Sequence, residues 1–144
     1  MPEHPSGSSE TEEICPEYER MGQFENNTSH SNGRYGLRIY ETYVPSTYPC
    51  KTRFKTPTEN ATDPETEAYS VNPPSPALFK SVLAYKNVRS GVIANRFGAL
   101  QFKDITTADN LQSGVEMTLP GEAPIESGFL EGALIVGMTE NCGN

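Results

Sequence analysis

Three stretches of the chain align without gaps: FENNTSHSNGRYGL (residues 24–37), FKSVLAYKNVRSGV (79–92) and FKDITTADNLQSGV (102–115). Each opens on a phenylalanine (Phe24, Phe79, Phe102) and carries an asparagine eight residues later (Asn32, Asn87, Asn110). Four residues on comes a glycine (Gly36, Gly91, Gly114), followed by Leu37, Val92 or Val115. Self-similarity at a fixed period is the signature of a repeat architecture. The last two asparagines are 23 residues apart. The first two are 55 apart, and the Pro-rich stretch from Lys51 to Pro76 holds the excess. A unit of this length, made of short strands with Asn and Gly at the corners, predicts an all-β right-handed parallel β-helix. Each coil supplies three short strands and lies on the next at about 4.7–4.9 Å.

Columns of equivalent residues then run along the solenoid. Phe24/Phe79/Phe102 form an inward aromatic stack, and Leu37/Val92/Val115 and Ile39/Ala94/Met117 form inward aliphatic stacks two residues apart. Asn32/Asn87/Asn110 are expected to form an internal amide ladder from coil to coil. Gly36/Gly91/Gly114 are expected to take positive φ at the corner, where a Cβ is penalised. Gly132–Val136 resembles Gly98–Phe102 and is expected to begin a fourth set of strands, with the Pro120-Gly121 loop in the longer gap. About four coils result. No amphipathic cap helix is visible, and capped ends are what a free-standing solenoid needs. The chain therefore reads as a fragment of a longer one.

Outside the repeats the sequence is polar. Residues 1–20 are rich in Glu, Pro and Ser without hydrophobic period and read as an irregular acidic tail. Residues 21–144 read as the β-helix segment, with 51–76 a Pro-rich loop insertion whose prolines exclude helix and central strand. The whole chain has 144 residues, 11 Lys+Arg against 19 Asp+Glu, a net charge of −8, 35% hydrophobic residues and a mean hydropathy of −0.57. That balance argues against nucleic acid, whose binding rests on Lys and Arg neutralising phosphates. No apolar run is long enough for a transmembrane segment. No charged-then-apolar N-terminus marks a signal peptide.

Residues 22–39, GQFENNTSHSNGRYGLRI, resemble the "F-x-N-N-x-A-H-S-N-G-x-x-G-L-x-I" segment of the fibrocystin and fibrocystin-L family, in its extracellular parallel β-helix region. The resemblance continues through Tyr43-Val44-Pro45, Pro49-Cys50, Pro76–Phe79, Gly98–Phe102, Asp109-Asn110, Gly114–Glu116 and Ala133–Gly137. It implies a segment of a large secreted or membrane-anchored ectodomain with a receptor-like or cell-coat role. The related cell-surface hyaluronidase and hyaluronan-binding cell-migration-inducing protein keep a glycan enzyme open. The family pattern also places a Cys near the Tyr85–Asn87 corner, and this chain has none, which leaves the partner of Cys50 open.

The three cysteines are Cys15, Cys50 and Cys142, with no C-x-x-C, so a zinc site is not indicated and no metal or cofactor is expected. Cys15 and Cys50 both flank the first coil and are the disulfide candidates; free or mispaired thiols are the alternative. Sequons begin at Asn26, Asn27 and Asn60. Asn60, in the Pro-rich loop, and Asn26 are glycosylation candidates, whereas Asn27 shares a column with Val82 and Ile105 and is expected to point inward. His30 is either a general base on a glycan-facing groove or a corner His bonded to backbone. Arg34 and Arg89 share a column with Arg38 nearby, an arrangement able to hold the carboxylates of an acidic glycan, with Tyr35 and Tyr40 as a stacking face. The alternative is a solvated corner facing acidic neighbours such as Glu41. Asp104, Asp109 and Glu116 build no carboxylate ladder, and the two Asp read as turn formers bonded to local backbone.

The expected function is a non-catalytic structural or recognition module of a fibrocystin-like extracellular receptor or cell-coat protein. Its partners are an extracellular protein or glycan and the flanking β-helix coils of a longer chain, and its location is extracellular or at the cell surface. The alternatives are a hyaluronidase- or lyase-like polysaccharide-acting enzyme on the same scaffold, which fold alone does not exclude, and a standalone structural adhesin.

Overall fold

The computed structural model describes residues 15–40, 42–50, 73–118 and 128–140. The regular elements are strands: β1 (Phe24–Glu25), β2 (Thr28–His30), β3 (Leu37–Ile39), β4 (Ala77–Lys80), β5 (Leu83–Tyr85), β6 (Ser90–Asn95), β7 (Leu100–Lys103), β8 (Thr106–Ala108), β9 (Ser113–Thr118), β10 (Gly128–Glu131) and β11 (Leu134–Ile135). They form three sheets in the orders β1-β4-β7-β10, β2-β5-β8-β11 and β3-β6-β9. Every pairing between these strands is parallel. Each of β1 to β8 thus pairs with the strand three places on, and each repeat lies on the next. The register matches Phe24 to Phe79 and Phe79 to Phe102, and Leu37 to Val92 and Val92 to Val115.

Alternation is plainest in β4 and β7, whereas β6 is buried from Ser90 to Ala94. In β4, Ala77 and Phe79 are buried while Leu78 is exposed; in β7, Leu100 and Phe102 are buried between half-buried neighbours. The inward residues of all three sheets meet in one core that includes Phe79, Val82, Ala84, Val92, Ala94, Leu100, Phe102 and Ile105. The Phe24–Phe79 and Phe79–Phe102 ring centroids are each 5.2 Å apart. That separation lies within the range where aromatic pairs add about 0.5–1.5 kcal/mol beyond their buried area.

A polar ladder runs beside this stack. The Asn32 Nδ2 donates to Asn87 Oδ1 at 2.9 Å, and the Asn87 Nδ2 donates to Asn110 Oδ1 at 2.8 Å. The backbone N–H groups of Asn32 and Asn87 donate to the same oxygens at 3.2 and 3.1 Å. Asn110 Nδ2 ends the chain of bonds on the Ala84 carbonyl at 3.0 Å.

The glycine column has a different cause from the one expected. Gly36, Gly91 and Gly114 do not have positive φ. A Cβ on Gly36 would lie 2.5 Å from the Gly91 carbonyl oxygen and 2.9 Å from Asn87 Nδ2. On Gly91 it would lie 2.7 Å from the Gly114 oxygen and 2.8 Å from Asn110 Nδ2. Glycine is required because the next repeat and the amide ladder occupy the space of its side chain. The left-handed corners belong to other columns. Asn26, Ser81 and Asp104 have φ of 57°, 50° and 54°, continued by Gly132 at 64°; Ser31, Lys86 and Asp109 have 56°, 53° and 53°. Asn and Asp tolerate this region through their short polar side chains.

The fourth repeat is also displaced from the expected alignment. Leu130 lies opposite Phe102, and Leu134 and Ile135 lie opposite Thr106 and Thr107. Gly132–Val136 therefore continues the columns that begin at Asp104, not those of Gly98–Phe102. Similar local composition misplaced it, because the fourth repeat has neither the Phe nor the Asn of the other three.

Residues 51–72, most of the Pro-rich insertion, lie outside the described residues. Its base is held by an antiparallel Ser46–Pro74 bridge, with Thr47 N–H donating to the Pro73 carbonyl and Ser75 N–H to the Pro45 carbonyl, both at 3.0 Å. Residues 15–20 form no strand but lie against this base. Val44 N–H donates to the Glu17 carbonyl at 2.8 Å, Ser46 N–H to the Tyr18 carbonyl at 2.9 Å, and Cys15 is disulfide-bonded to Cys50.

Two outcomes follow for stability. Asn87→Ala and Asn110→Ala each strand ladder groups in the core and lower unfolding free energy by about 2–4 kcal/mol, whereas Asn32→Ala at the exposed end costs about 1 kcal/mol or less. Urea denaturation reads the order, and equal losses at all three positions would contradict a ladder. Gly91→Ala destabilises by steric conflict, whereas Ser81→Gly relieves a left-handed non-glycine residue and raises stability by up to about 1 kcal/mol. A stabilising Gly91→Ala would overturn the steric account.

Candidate functional site

The side chains that face outward are free of the ladder, and here candidate chemistry collects. Arg89 N–H donates to the Arg34 carbonyl at 2.7 Å and Gln112 N–H to the Arg89 carbonyl at 3.0 Å, so the three residues follow one another along the stack. Arg89 Nη1 donates to the Tyr35 hydroxyl at 3.3 Å. The Arg38 guanidinium carbon lies 3.8 Å from the Tyr40 ring centroid and 5.3 Å from that of Tyr35. Tyr35 therefore joins two arginines, one at its hydroxyl and one at its ring. Arg34, Arg38, Tyr40 and Arg89 are exposed and Tyr35 is half-buried.

His30 belongs to another face. It ends β2 and its ring stacks on Tyr85, with centroids 4.9 Å apart and planes at 17°. Its Nδ1 is 3.1 Å from Ser31 Oγ. Among the described residues no carboxylate partners it, so this imidazole is held by stacking and a neighbouring hydroxyl. The Asn32 corner separates it from Tyr35 and Arg89.

Four carboxylates, those of Glu25, Glu131, Glu116 and Asp109, fasten neighbouring repeats. Glu25 pairs with Lys80 at 3.9 Å and Glu131 with Lys103 at 3.5 Å, each an adjacent-repeat neighbour of its partner. Glu116 Oε2 accepts from Ser90 Oγ at 2.9 Å, and Ser113 Oγ donates to Ser90 Oγ at 2.9 Å. Ser90 and Ser113 occupy one register position, the sequence signal from which this network was readable. Asp109, at a left-handed corner, accepts the Thr139 N–H on Oδ1 at 2.6 Å, a bond across to the fourth repeat. The Thr139 backbone and side chain, helped by Lys86, hold the Asp109 carboxyl below the usual carboxylate range. No cluster of three or more His, Cys, Asp or Glu able to hold a metal ion occurs among the described residues.

Of the sequons, Asn26 is exposed at a left-handed corner, and Asn60 lies outside the described residues. Asn27 is exposed, contrary to the expected inward placement: its Nδ2 donates to the Glu25 carbonyl at 3.1 Å, while Val82 and Ile105 fill the core at its register position. Cys142 also lies outside the described residues.

Beside the arginine cluster is a hollow of about 590 Å³, which sequence reading did not reveal. Arg38, Ile39, Tyr40 and Tyr43 line one side, and Glu17 and Met21 of the N-terminal segment line the other. The Tyr43 hydroxyl accepts the Met21 N–H at 2.8 Å, and burial pushes its pKa above the ordinary phenol value.

With this geometry in view, the relatives are informative. Human fibrocystin-L is 31% identical over 116 residues, covering 81% of this chain and 2% of that protein. Mouse fibrocystin-L is 32% identical over 116 residues, with the same coverage. The chain is fibrocystin-like. It spans about 2% of the length of these curated relatives. No protein-family model matches it, and no solved structure gives a significant match. In the fibrocystin-like chain no helix among the described residues is long and apolar enough to cross a membrane.

The Asp109 bond predicts a pH dependence. A carboxyl with a lowered folded pKa contributes stability that is present above its unfolded pKa of about 3.9 and is lost as pH falls through the folded value. NMR titration of the Asp109 carboxyl carbon should give a midpoint below about 3.9, with the Thr139 amide proton following the same curve. A midpoint at or above the unfolded value would contradict the bond.

Proposed function

We propose that this chain is a non-catalytic structural and recognition segment of a fibrocystin-like extracellular protein, built as a right-handed parallel β-helix. The observation that carries the reading is the use of the polar side chains. Asn32, Asn87, Asn110, Glu25, Glu131 and Asp109 all bond to a neighbouring repeat. Such a stack is a rigid rod that presents outward side chains at regular spacing. A hydrolase needs two opposed carboxylates at about 5–5.5 Å or 6.5–9.5 Å across a scissile bond, and these carboxylates serve the stack instead.

The Cys15–Cys50 bond supports an oxidising location, since disulfides persist outside the cytosol. The exposed sequon at Asn26 fits the same placement. Fibrocystin-L homology supports a receptor-related role. Leu130, Leu134 and Ile135 on β10 and β11 are exposed. In a longer fibrocystin-like protein, a flanking coil packing on these strands would cover them, as the first three repeats cover one another.

The test is incubation of the folded chain with acidic and neutral polysaccharides, followed by size-exclusion analysis of the polymer. Unchanged polymer length is the expected result. Shortening that is abolished by His30→Ala would overturn this reading in favour of a polysaccharide-acting enzyme.

A further inference from the structure

We propose that Arg34, Tyr35, Arg38, Tyr40 and Arg89, with the hollow beside them, form a binding site for carboxylate-bearing saccharide chains. The inference rests on the recognition reading above and names the ligand class that this surface would take.

Charge is the first argument. The chain carries a net charge of −8, so a cation on its surface has many carboxylates available. The ion pairs among the described residues are nonetheless made by Lys80 and Lys103. None of Arg34, Arg38 and Arg89 pairs with a carboxylate among the described residues. Three guanidiniums gathered at one corner, with no ion pair among the described residues, give a local positive field that attracts anions.

Geometry is the second argument. Two of the arginines are positioned by tyrosines: the Tyr35 hydroxyl accepts from Arg89, and Arg38 lies over the Tyr40 ring. A guanidinium stacked on an aromatic face is held by one face and keeps its N–H fork for a planar anion, to which it donates two parallel hydrogen bonds. Arg34 and Arg89 stand in adjacent repeats, separated by about one strand spacing of 4.7–4.9 Å. They present a row of donors along the stack, which suits a polymer bearing charge at intervals.

The hollow supplies the third. Ile39, Met21 and Tyr43 offer apolar and aromatic surface to the C–H face of a sugar ring. Glu17 and Thr42, also at the hollow, can bond sugar hydroxyls. Glu17 repels an anion, so the carboxylate of the ligand is directed to the arginine side. A polyphosphate chain has neither alcohol hydroxyls for Glu17 and Thr42 to bond nor a C–H face for Ile39, Met21 and Tyr43, so a saccharide suits the hollow better.

The experiment titrates the full chain with oligogalacturonate, with its methyl ester as an uncharged counterpart of the same sugar, and with polyglutamate. Oligogalacturonate should bind, with affinity falling as salt rises, and the methyl ester should bind at least about tenfold more weakly. Arg38→Ala and Arg89→Ala should each weaken binding about tenfold or more, whereas Lys103→Gln, which removes the same charge from another sheet, changes it less than about twofold. Circular dichroism establishes that each variant is folded. Equal binding of acid and ester, arginine variants that bind as the parent does, or no binding by the folded chain at low salt would each overturn the assignment. Binding of polyglutamate alone, lost in the same variants, would overturn the saccharide while leaving a recognition module. Shortening of the oligosaccharide would instead overturn the recognition reading itself.

Discussion

The structure depends on one close approach, where the side-chain amides of successive repeats bond to one another with a glycine pressed against them. An asparagine amide donates and accepts along the stacking direction, so each rung satisfies the next and also takes a backbone N–H. Asn87 is 1% exposed and could not be left unpaired there without a penalty of about 1–3 kcal/mol. The ladder forms only if the following strand passes within contact of it, which is why Gly36 and Gly91 lack room for a methyl group; at Gly114 the Thr107 and Ile135 side chains fill the space instead. Together the two columns set the register of all three sheets. A slip of one residue would break the ladder and turn the inward Phe, Val and Ala residues outward.

This explains which parts of the fold could be read from the sequence. The columns of Phe, Asn and Gly impose residue identity because stacking places like beside like, and identity at fixed spacing survives in a single sequence. The reason for the glycine was not readable, since a forbidden Cβ and a positive φ leave the same letter. In the first three repeats the left-handed corner columns carry Asn26, Ser31, Ser81, Lys86, Asp104 and Asp109, and glycine enters only at Gly132 in the fourth. The fourth repeat was misread because Leu130 replaces the Phe, so only its strand composition remained as a guide. The Ser46–Pro74 bridge at the base of the insertion was invisible for a related reason: it is antiparallel, and among the described residues no other bridge is.

The outward face obeys no such rule, and its legibility was correspondingly lower. The register position of Arg38 is taken by Ile93 in the second repeat and Glu116 in the third, so it passes from cation to apolar residue to anion. Ladder logic cannot predict a surface on which neighbouring repeats are free to differ. The Arg34/Arg89 column was visible because both copies happen to keep arginine. The role of Tyr35 as the joint between Arg38 and Arg89 came only with coordinates. His30 shows the converse: a histidine is prominent in a sequence, yet here it is one plate of a stack with Tyr85.

The division of labour between inside and outside also places the hollow. Its inner wall, Ile39 and Tyr43, belongs to the first repeat and moves only with the stack. Its outer wall, Glu17 and Met21, belongs to a segment without a strand. That segment keeps its place through the Val44–Glu17 and Ser46–Tyr18 backbone bonds, the Met21–Tyr43 bond and the Cys15–Cys50 link. The same link ends at the base of the Pro-rich insertion. The outer wall of the hollow and the root of the insertion are therefore one mechanical unit, closed by a covalent bond that an oxidising environment maintains. The ladder ties the repeats to one another, while the shape of this hollow rests on four separate ties from a segment outside the repeat.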